Sequence, residues 1–224
     1  MDLTLTDELM LLALDDEKGN FVAESLAFTY ALSGSIIMEL SHRDKIDLRG
    51  KDVIIKGSGR TGDALLDSQL ELIRQSKKVR KIDYWIDKIG GKESDIIENS
   101  IAKLVKSGIL RKEEKKYLWV FTSKKYPTSN PKVENLLRGR LLDVIEKNAE
   151  PSLNEIMLIS LVDACSLNVE VFGKEKAKKY KKRIKSVIEE SGGNAAINEA
   201  VKEIHDAVMA CLVIMMTTVV ITSS

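Results

Sequence analysis

The sequence predicts a mainly α-helical fold, a single globular helical domain (residues 1–224) around an apolar C-terminal helix, with peripheral β-hairpins. Three observations predict it. Apolar residues recur at helical spacing through most of the chain, two short segments read instead as strand, polar turn and strand, and Ala207 to Ser224 carries no charge. With 224 residues and 44% hydrophobic content, the chain can bury a substantial core without a staple. No internal repeat, low-complexity linker or abrupt change of composition divides it.

Thr6 is the expected cap of a first helix that stops near Asp15, with Asp7 and Glu8 favoured by the positive helix end. Gly19 and Asn20 mark a turn. Val22, Leu26, Thr29, Tyr30, Ser33, Ile37 and Leu40 trace a second helix that runs through Gly34. Ile46 and Leu48, a polar turn at Arg49 to Asp52, and Val53 to Ile55 form the first hairpin, and Asp63 to Gln75 is helical. From Ser94 a helix with Ile97, Ile101, Leu104 and Val105 on its buried face ends at Gly108. Ile109 and Leu110 then lead out, Arg111 to Lys116 supply six consecutive charges as a turn, and Tyr117, Leu118, Trp119, Val120 and Phe121 return as an apolar strand. A strand apolar on both faces needs a partner beyond its hairpin: the same domain, another subunit or a membrane. After a loop at Pro127 to Pro131, helices are expected at Lys132–Lys147, Ser152–Leu167, Lys174–Glu190 and Ala195–Thr222, with Pro151 in a first helical turn.

Composition narrows the function classes. Basic and acidic residues nearly cancel, 35 against 34, so no net field draws the whole surface to nucleic acid or anionic lipid. Any attraction must be local, and the segment from Lys174 to Lys185 supplies a source, with eight basic residues and one acid, Glu175. Ala177, Tyr180, Ile184 and Val187 recur there at helical spacing, so Lys174, Lys178, Lys181, Lys182 and Lys185 form a cationic face for an anionic surface. A solvated face balanced by acids elsewhere is the equal alternative.

Cys165 and Cys211 sit in apolar helical patterns and read as packed thiols in a reducing, cytoplasmic setting. The first apolar run, Leu9 to Leu14, follows Asp7 and Glu8 instead of a basic leader, which argues against a signal peptide. The eight apolar residues Met209 to Met216 are cut short of a spanning length by Thr217 and Thr218, so a buried helix is preferred to a membrane anchor. Gly57, Gly59 and Gly62 spell a dinucleotide-binding fingerprint with Asp83 about 20 residues on. The preceding strand pairs backward, however, and Asp63 opens the next helix, where it would repel a pyrophosphate. His42 and His205 have no metal-ligand spacing to each other or to the cysteines. No catalytic constellation, metal site or cofactor is expected.

The ordered blocks Leu3 to Leu14, Ile37 to Leu40, Thr61 to Asp67 and Leu104 to Leu110, with the apolar hairpin and the helical second half, resemble the Golgi phosphoprotein 3 family across nearly the whole chain. Thr61-Gly-Asp-Ala-Leu-Leu-Asp67 is the most specific block and turns the glycine fingerprint into a family turn. The resemblance implies a mainly helical, non-enzymatic peripheral membrane protein. In its eukaryotic members it implies binding of phosphatidylinositol 4-phosphate through a tryptophan and basic residues, binding of membrane-protein tails, and an apolar hairpin used for membrane contact or self-association. The four pocket positions hold Glu24, Ser33, Ser94 and Ile97 here, and none matches the family pattern. A phosphate needs charge-assisted donors, and Arg43, Lys92 and Lys103 are the nearest alternatives in the sequence.

The expected partner is therefore a membrane surface, anionic in part, reached through Tyr117 to Phe121, with a homo-oligomer as the competing use of the same hairpin. A winged-helix regulator is the alternative from another class, since helix, Gly108 and hairpin follow in that order. Its recognition helix would carry Glu93, Asp95 and Glu98 against Lys103 and Lys106, a poor match to DNA phosphates.

Overall fold

A computed structural model describes residues 3–15, 19–21, 26–117, 121–190 and 199–211. Helix α1 (Leu5–Leu12) is capped by Thr4, not Thr6: Asp7 N donates to Thr4 Oγ1 (3.3 Å) and Thr4 N to Asp7 Oδ2 (3.0 Å), a reciprocal pair that satisfies two orphan amides. Thr6 lies inside the helix, its hydroxyl 2.8 Å from Ser35 Oγ, and α1 ends at Leu12, short of Asp15. Every residue of α1 is buried. Helix α2 (Leu26–His42) is buried from Phe28 to Leu40, and with so little exposed face it carries the centre of the fold. At Gly34 a Cβ would come within 2.9 Å of Val208 Cγ2 and 3.2 Å of Leu161 Cδ2, so the missing side chain lets two further helices close on α2 at one point.

The first hairpin forms as expected. Strand β1 (Ile46–Arg49) pairs antiparallel with β2 (Asp52–Ile55), and a short third strand, β3 (Arg80–Lys81), adds to the free edge of β2. Helix α3 (Ala64–Arg74) is capped by Asp63, whose Oδ1 accepts from Leu65 N and Leu66 N at 3.0 and 3.1 Å. The glycine turn before it is tied to α3 at two positions. Thr61 N and Oγ1 donate to Asp67 Oδ1 at 2.6 and 2.7 Å, and Arg74 Nη2 donates to the carbonyls of Gly57 (2.7 Å) and Gly59 (3.0 Å). The strand before it runs antiparallel and a carboxylate occupies the helix N-terminus, the reverse of a pyrophosphate cradle.

Helix α4 (Ile82–Gly90), not anticipated, buries Ile82, Trp85, Ile86 and Ile89. Helix α5 (Glu93–Lys106) is rotated from expectation: Ile96, Ser100, Ile101 and Leu104 are buried, and Ile97 and Val105 only flank the core. Beyond the second hairpin, α6 (Pro131–Glu146) begins with Pro131 behind the cap Asn130. Ser152 caps α7 (Leu153–Ala164) with a second capping box, which leaves Pro151 before the cap instead of in the first turn. Three pieces follow: α8 (Asn168–Phe172), α9 (Lys174–Lys179) and α10 (Lys181–Glu190). The single helix expected at Lys174–Glu190 is thus broken at Tyr180, which leaves helical geometry at φ −99°, ψ 12°. Ile184, Val187 and Ile188 still reach the core, and Ala177 and Tyr180 pack against it.

A last described helix, α11 (199–211), buries Val201, Ile204, Ala207, Val208 and Cys211, while the rest of the expected C-terminal helix lies outside the described residues. The buried apolar residues from Leu5 to Cys211 form one contiguous cluster. Both cysteines are free and buried, and burial pushes the Cys165 thiol up to about 12.

Candidate functional site

The second hairpin differs from its sequence reading in register. Strand β4 (Glu113–Tyr117) is the charged run itself, and β5 (Phe121–Lys125) pairs with it from Glu113↔Lys125 to Tyr117↔Phe121. The charges form a strand and not a turn, with Glu113 and Glu114 at register positions opposite Lys125 and Lys124, and Tyr117 and Phe121 fall on opposite strands instead of on one. The paired region ends at Tyr117 and Phe121, and Leu118, Trp119 and Val120 between them lie outside the described residues. At the base, Glu113 pairs with Arg111 (2.9 Å) and Glu114 with Lys112 (2.6 Å). Next to the Tyr117–Phe121 pair, Lys115 and Lys116 stand opposite Ser123 and Thr122 in the register, at consecutive strand positions.

The base is rigidly seated. Arg111 N donates to Pro127 O (3.1 Å), Arg111 Nη1 to Thr128 O (3.1 Å), and Tyr126 N to Gly19 O (2.9 Å). Gly19 adopts φ +61°, and a Cβ there would lie 2.3 Å from Pro127 N and 2.5 Å from Tyr126 C, so backbone passes where any side chain would sit.

Lys174, Lys178, Lys181, Lys182 and Lys185 are all exposed. Lys185 lies 3.6 Å from Glu189, and Lys174, Lys178 and Lys182 have no acid within ion-pair distance among the described residues. Two cations of the same segment are spent on α6: Lys176 pairs with Glu146 at 2.9 Å, and Arg183 Nε donates to Val144 O at 3.3 Å. This seats α9 and α10 at the C-terminal end of α6, while the second hairpin leads into its N-terminal end at Asn130. Sixteen residues of helix, about 24 Å at ~1.5 Å per residue, separate the base of the hairpin from the end of α6 that holds α9 and α10.

The positions corresponding to the family's phosphate pocket offer no cation. Ser33 is fully buried, its hydroxyl donating to Thr29 O at 3.2 Å, and the Cα of Gly90 packs so closely that an added Cβ would lie 3.3 Å from Ser33 Oγ. Ser94 is exposed in the first turn of α5 between Glu93 and Asp95, Ile97 is half-buried, and Glu24 lies outside the described residues. Two of the alternative donors are committed elsewhere. Arg43 Nε donates to Glu39 Oε1 at 2.7 Å, and Lys103 Nζ bridges Asp7 Oδ2 (2.5 Å) and Asp63 Oδ2 (2.7 Å). Burial lowers the proton affinity of Lys103, but the bonds to Asp63 and Asp7 outweigh it and hold the ammonium above its usual range. Asp63 is held below the carboxylate range despite burial, by Lys103 and the amides of Leu66 and Leu65.

The N-terminal block is likewise architecture. Asp7 accepts from Ser100 Oγ at 2.7 Å, and Glu8 accepts from Arg140 Nη2 (3.1 Å) and Asn154 Nδ2 (2.7 Å). Burial leaves Glu8 above the usual carboxylate range even so. Among the described residues, no group of three or more His, Cys, Asp or Glu side chains is placed to hold a metal ion, and no helix is long and apolar enough to cross a membrane.

Comparison with known proteins adds the family. The profile described as Golgi phosphoprotein 3 (GPP34) matches residues 5–206. Among curated proteins, the vacuolar protein sorting-associated protein 74 of Schizosaccharomyces pombe is 29% identical over 195 residues, covering 73% of this chain and 57% of that protein. Its namesake in Eremothecium gossypii is 28% identical over 178 residues, covering 69% and 53%. The chain thus spans just over half the length of the curated relatives it matches.

Proposed function

Since this chain belongs to the Golgi phosphoprotein 3 family, we propose that it is a non-enzymatic protein that associates peripherally with membranes through the end of its second hairpin, without a dedicated phosphoinositide pocket. The observation that carries the reading is the register of that hairpin. It brings Tyr117 and Phe121 together at the end of a ladder, with Leu118, Trp119 and Val120 between them in sequence and Lys115 and Lys116 next behind in the register. An apolar, aromatic end followed by cations suits the boundary between acyl chains and headgroups, where aromatic rings gain from partial burial and each lysine contributes about 1 kcal/mol on an anionic surface. The lysines of α9 and α10 supply a second, purely electrostatic contact.

Co-sedimentation with neutral, general anionic and phosphatidylinositol 4-phosphate vesicles at low and physiological salt tests this. The expected result is salt-sensitive retention on both anionic surfaces with no preference for the phosphoinositide. A combined Leu118→Glu, Trp119→Glu and Phe121→Glu variant should lose recovery on anionic vesicles, and Lys115→Gln or Lys116→Gln should each weaken it about fivefold. Unchanged recovery of a folded triple variant removes the hairpin from the mechanism. A wild-type oligomer dispersed by the same substitutions would instead assign the hairpin to self-association. Selective retention on the phosphoinositide would overturn the reading of Ser33, Ser94 and Ile97. The DNA-binding alternative is weakened by Lys103, a cation of the would-be recognition helix that is held by Asp7 and Asp63.

A further inference from the structure

The C-terminal end of α2, the β1–β2 hairpin, the first turns of α7 and the start of α11 line an open-mouthed cavity of about 580 Å³, apart from the second hairpin and the lysines of α9 and α10. Its volume lies within the ~300–1,000 Å³ of pockets that take drug-sized ligands. The floor is apolar: Met38, Ile46, Met157, Val201 and Ile204 line it, and none is more than 3% exposed. A carbohydrate or phosphate would lose its hydration there without replacement.

The rim is acidic. Two of its four carboxylates are answered by the protein, Asp44 by Lys56 at 2.7 Å and Asp47 by Arg49 at 3.6 Å. The other two, Glu199 and Glu203, stand one turn apart on α11, and neither has a cation within ion-pair distance among the described residues. Like charges at this spacing repel. Burial, then Glu199 and Asp206, push the Glu203 carboxyl above its ordinary range, with Lys51 only partly opposing. The other basic side chain lining the cavity, besides Lys56, is the exposed His42 at the end of α2.

We propose that this cavity binds a small amphiphilic amine, its apolar body seated on Met38 and Met157 and its ammonium held by Glu199 and Glu203. The apolar floor sets the body of the ligand, and the unanswered acid pair sets the sign of its head. An anionic lipid headgroup is excluded by the same pair. The site is separate from the second hairpin and from the lysines of α9 and α10.

The test uses the intact chain with ¹³C-methyl-labelled methionine, titrated at pH 7 with octylamine, octanoate and 1-octanol, which share a chain and differ in the charge of the head. Octylammonium should shift the Met38 and Met157 methyl signals saturably and bind at least tenfold more tightly than octanol or octanoate. The Glu199→Gln, Glu203→Gln double variant should lose the preference of amine over octanol. Since Glu199 is exposed and Glu203 half-exposed, it should keep the wild-type circular dichroism. Glu199→Lys with Glu203→Lys should transfer the preference to octanoate. Equal affinity for the three probes, shifts confined to other methionines, absence of saturable shifts, or an amine preference that survives in the glutamine variant would each overturn the proposal.

Discussion

Replacing Lys103 with methionine separates architecture from recognition in one experiment. The substitution keeps the aliphatic stem and removes the ammonium that bridges Asp7 and Asp63, and with it the charged tie between α1, α3 and α5. The Asp7 side chain is 2% exposed, so the variant leaves a buried carboxylate without its counter-charge. Breaking a buried pair from one side costs about 3–5 kcal/mol. Lys103 retains 25% exposure, and Asp7 keeps its bonds from Thr4 and Ser100, so the lower end, about 3 kcal/mol, is expected. For a domain of this size the melting temperature should fall by about 6–12 °C in calorimetry. Adding Asp7→Asn to Lys103→Met should recover part of the loss, because the stranded charge is then gone, and the double-mutant cycle measures the coupling directly. A fall of less than about 2 °C would refute the clamp. Liposome recovery per folded molecule should match wild type, and its loss in a protein that melts cooperatively would show that Lys103 meets the membrane after all.

Gly19→Ala should loosen the base of the second hairpin, because a Cβ would collide with the backbone at Tyr126 and Pro127 and the left-handed conformation adds about 1–2 kcal/mol; limited proteolysis between residues 111 and 128 should accelerate, and an unchanged rate would contradict the seating. His205 lies 3.7 Å from Asp163 and 3.5 Å from Asp206; burial lowers its proton affinity, but those two acids outweigh it and raise the pKa, while His205 and Asn168 hold Asp163 below the usual range. The histidine's contribution is full below about pH 6.5 and lost as pH rises through its raised folded value, and that of Asp163 is present above about pH 4 and lost on acidification. The stability advantage of wild type over His205→Gln in urea unfolding should therefore peak between those limits and shrink by pH 9; an advantage that grows with pH would refute the ion pair. Cys165, with its thiol pushed up to about 12, should react with Ellman's reagent at pH 8 only after denaturation. Labelling within minutes in the native state would contradict its burial.

Helices with long apolar stripes were legible in the sequence, and so was the first hairpin, whose alternation and turn residues are local signals. What could not be read is where the charges of α1 go. Asp7 and Glu8 look like residues placed for a helix dipole, yet their partners Ser100, Arg140 and Asn154 lie 93, 132 and 146 positions away, a relation no local pattern carries. The second hairpin was misread because six consecutive charges usually mark a turn. Only the opposing Lys124 and Lys125, ten and twelve positions beyond Glu114 and Glu113, disclose that the two acids belong to a ladder that also carries Lys115 and Lys116. Helix α4 is nine residues long, and its stripe of Ile82, Trp85, Ile86 and Ile89 spans too few turns to stand out as a helical period. On α5 the choice between adjacent isoleucines, Ile96 and Ile97, turns on about 100° of rotation that tertiary packing decides.

On the membrane association proposed above, α6 sets how the protein would rest on a bilayer. The base of the second hairpin lies at one end of it and the lysine-rich helices at the other, so a surface engaging both would fix the body, whereas contact through the hairpin alone would leave it free to pivot. If the hairpin inserts as proposed, the second contact would become an intramolecular event with an effective concentration on the order of millimolar, so two weak attachments would reinforce each other without any new bond. Lateral orientation, and not only affinity, would then depend on salt: screening the lysines would release one end of the lever and turn a fixed footprint into a tethered one.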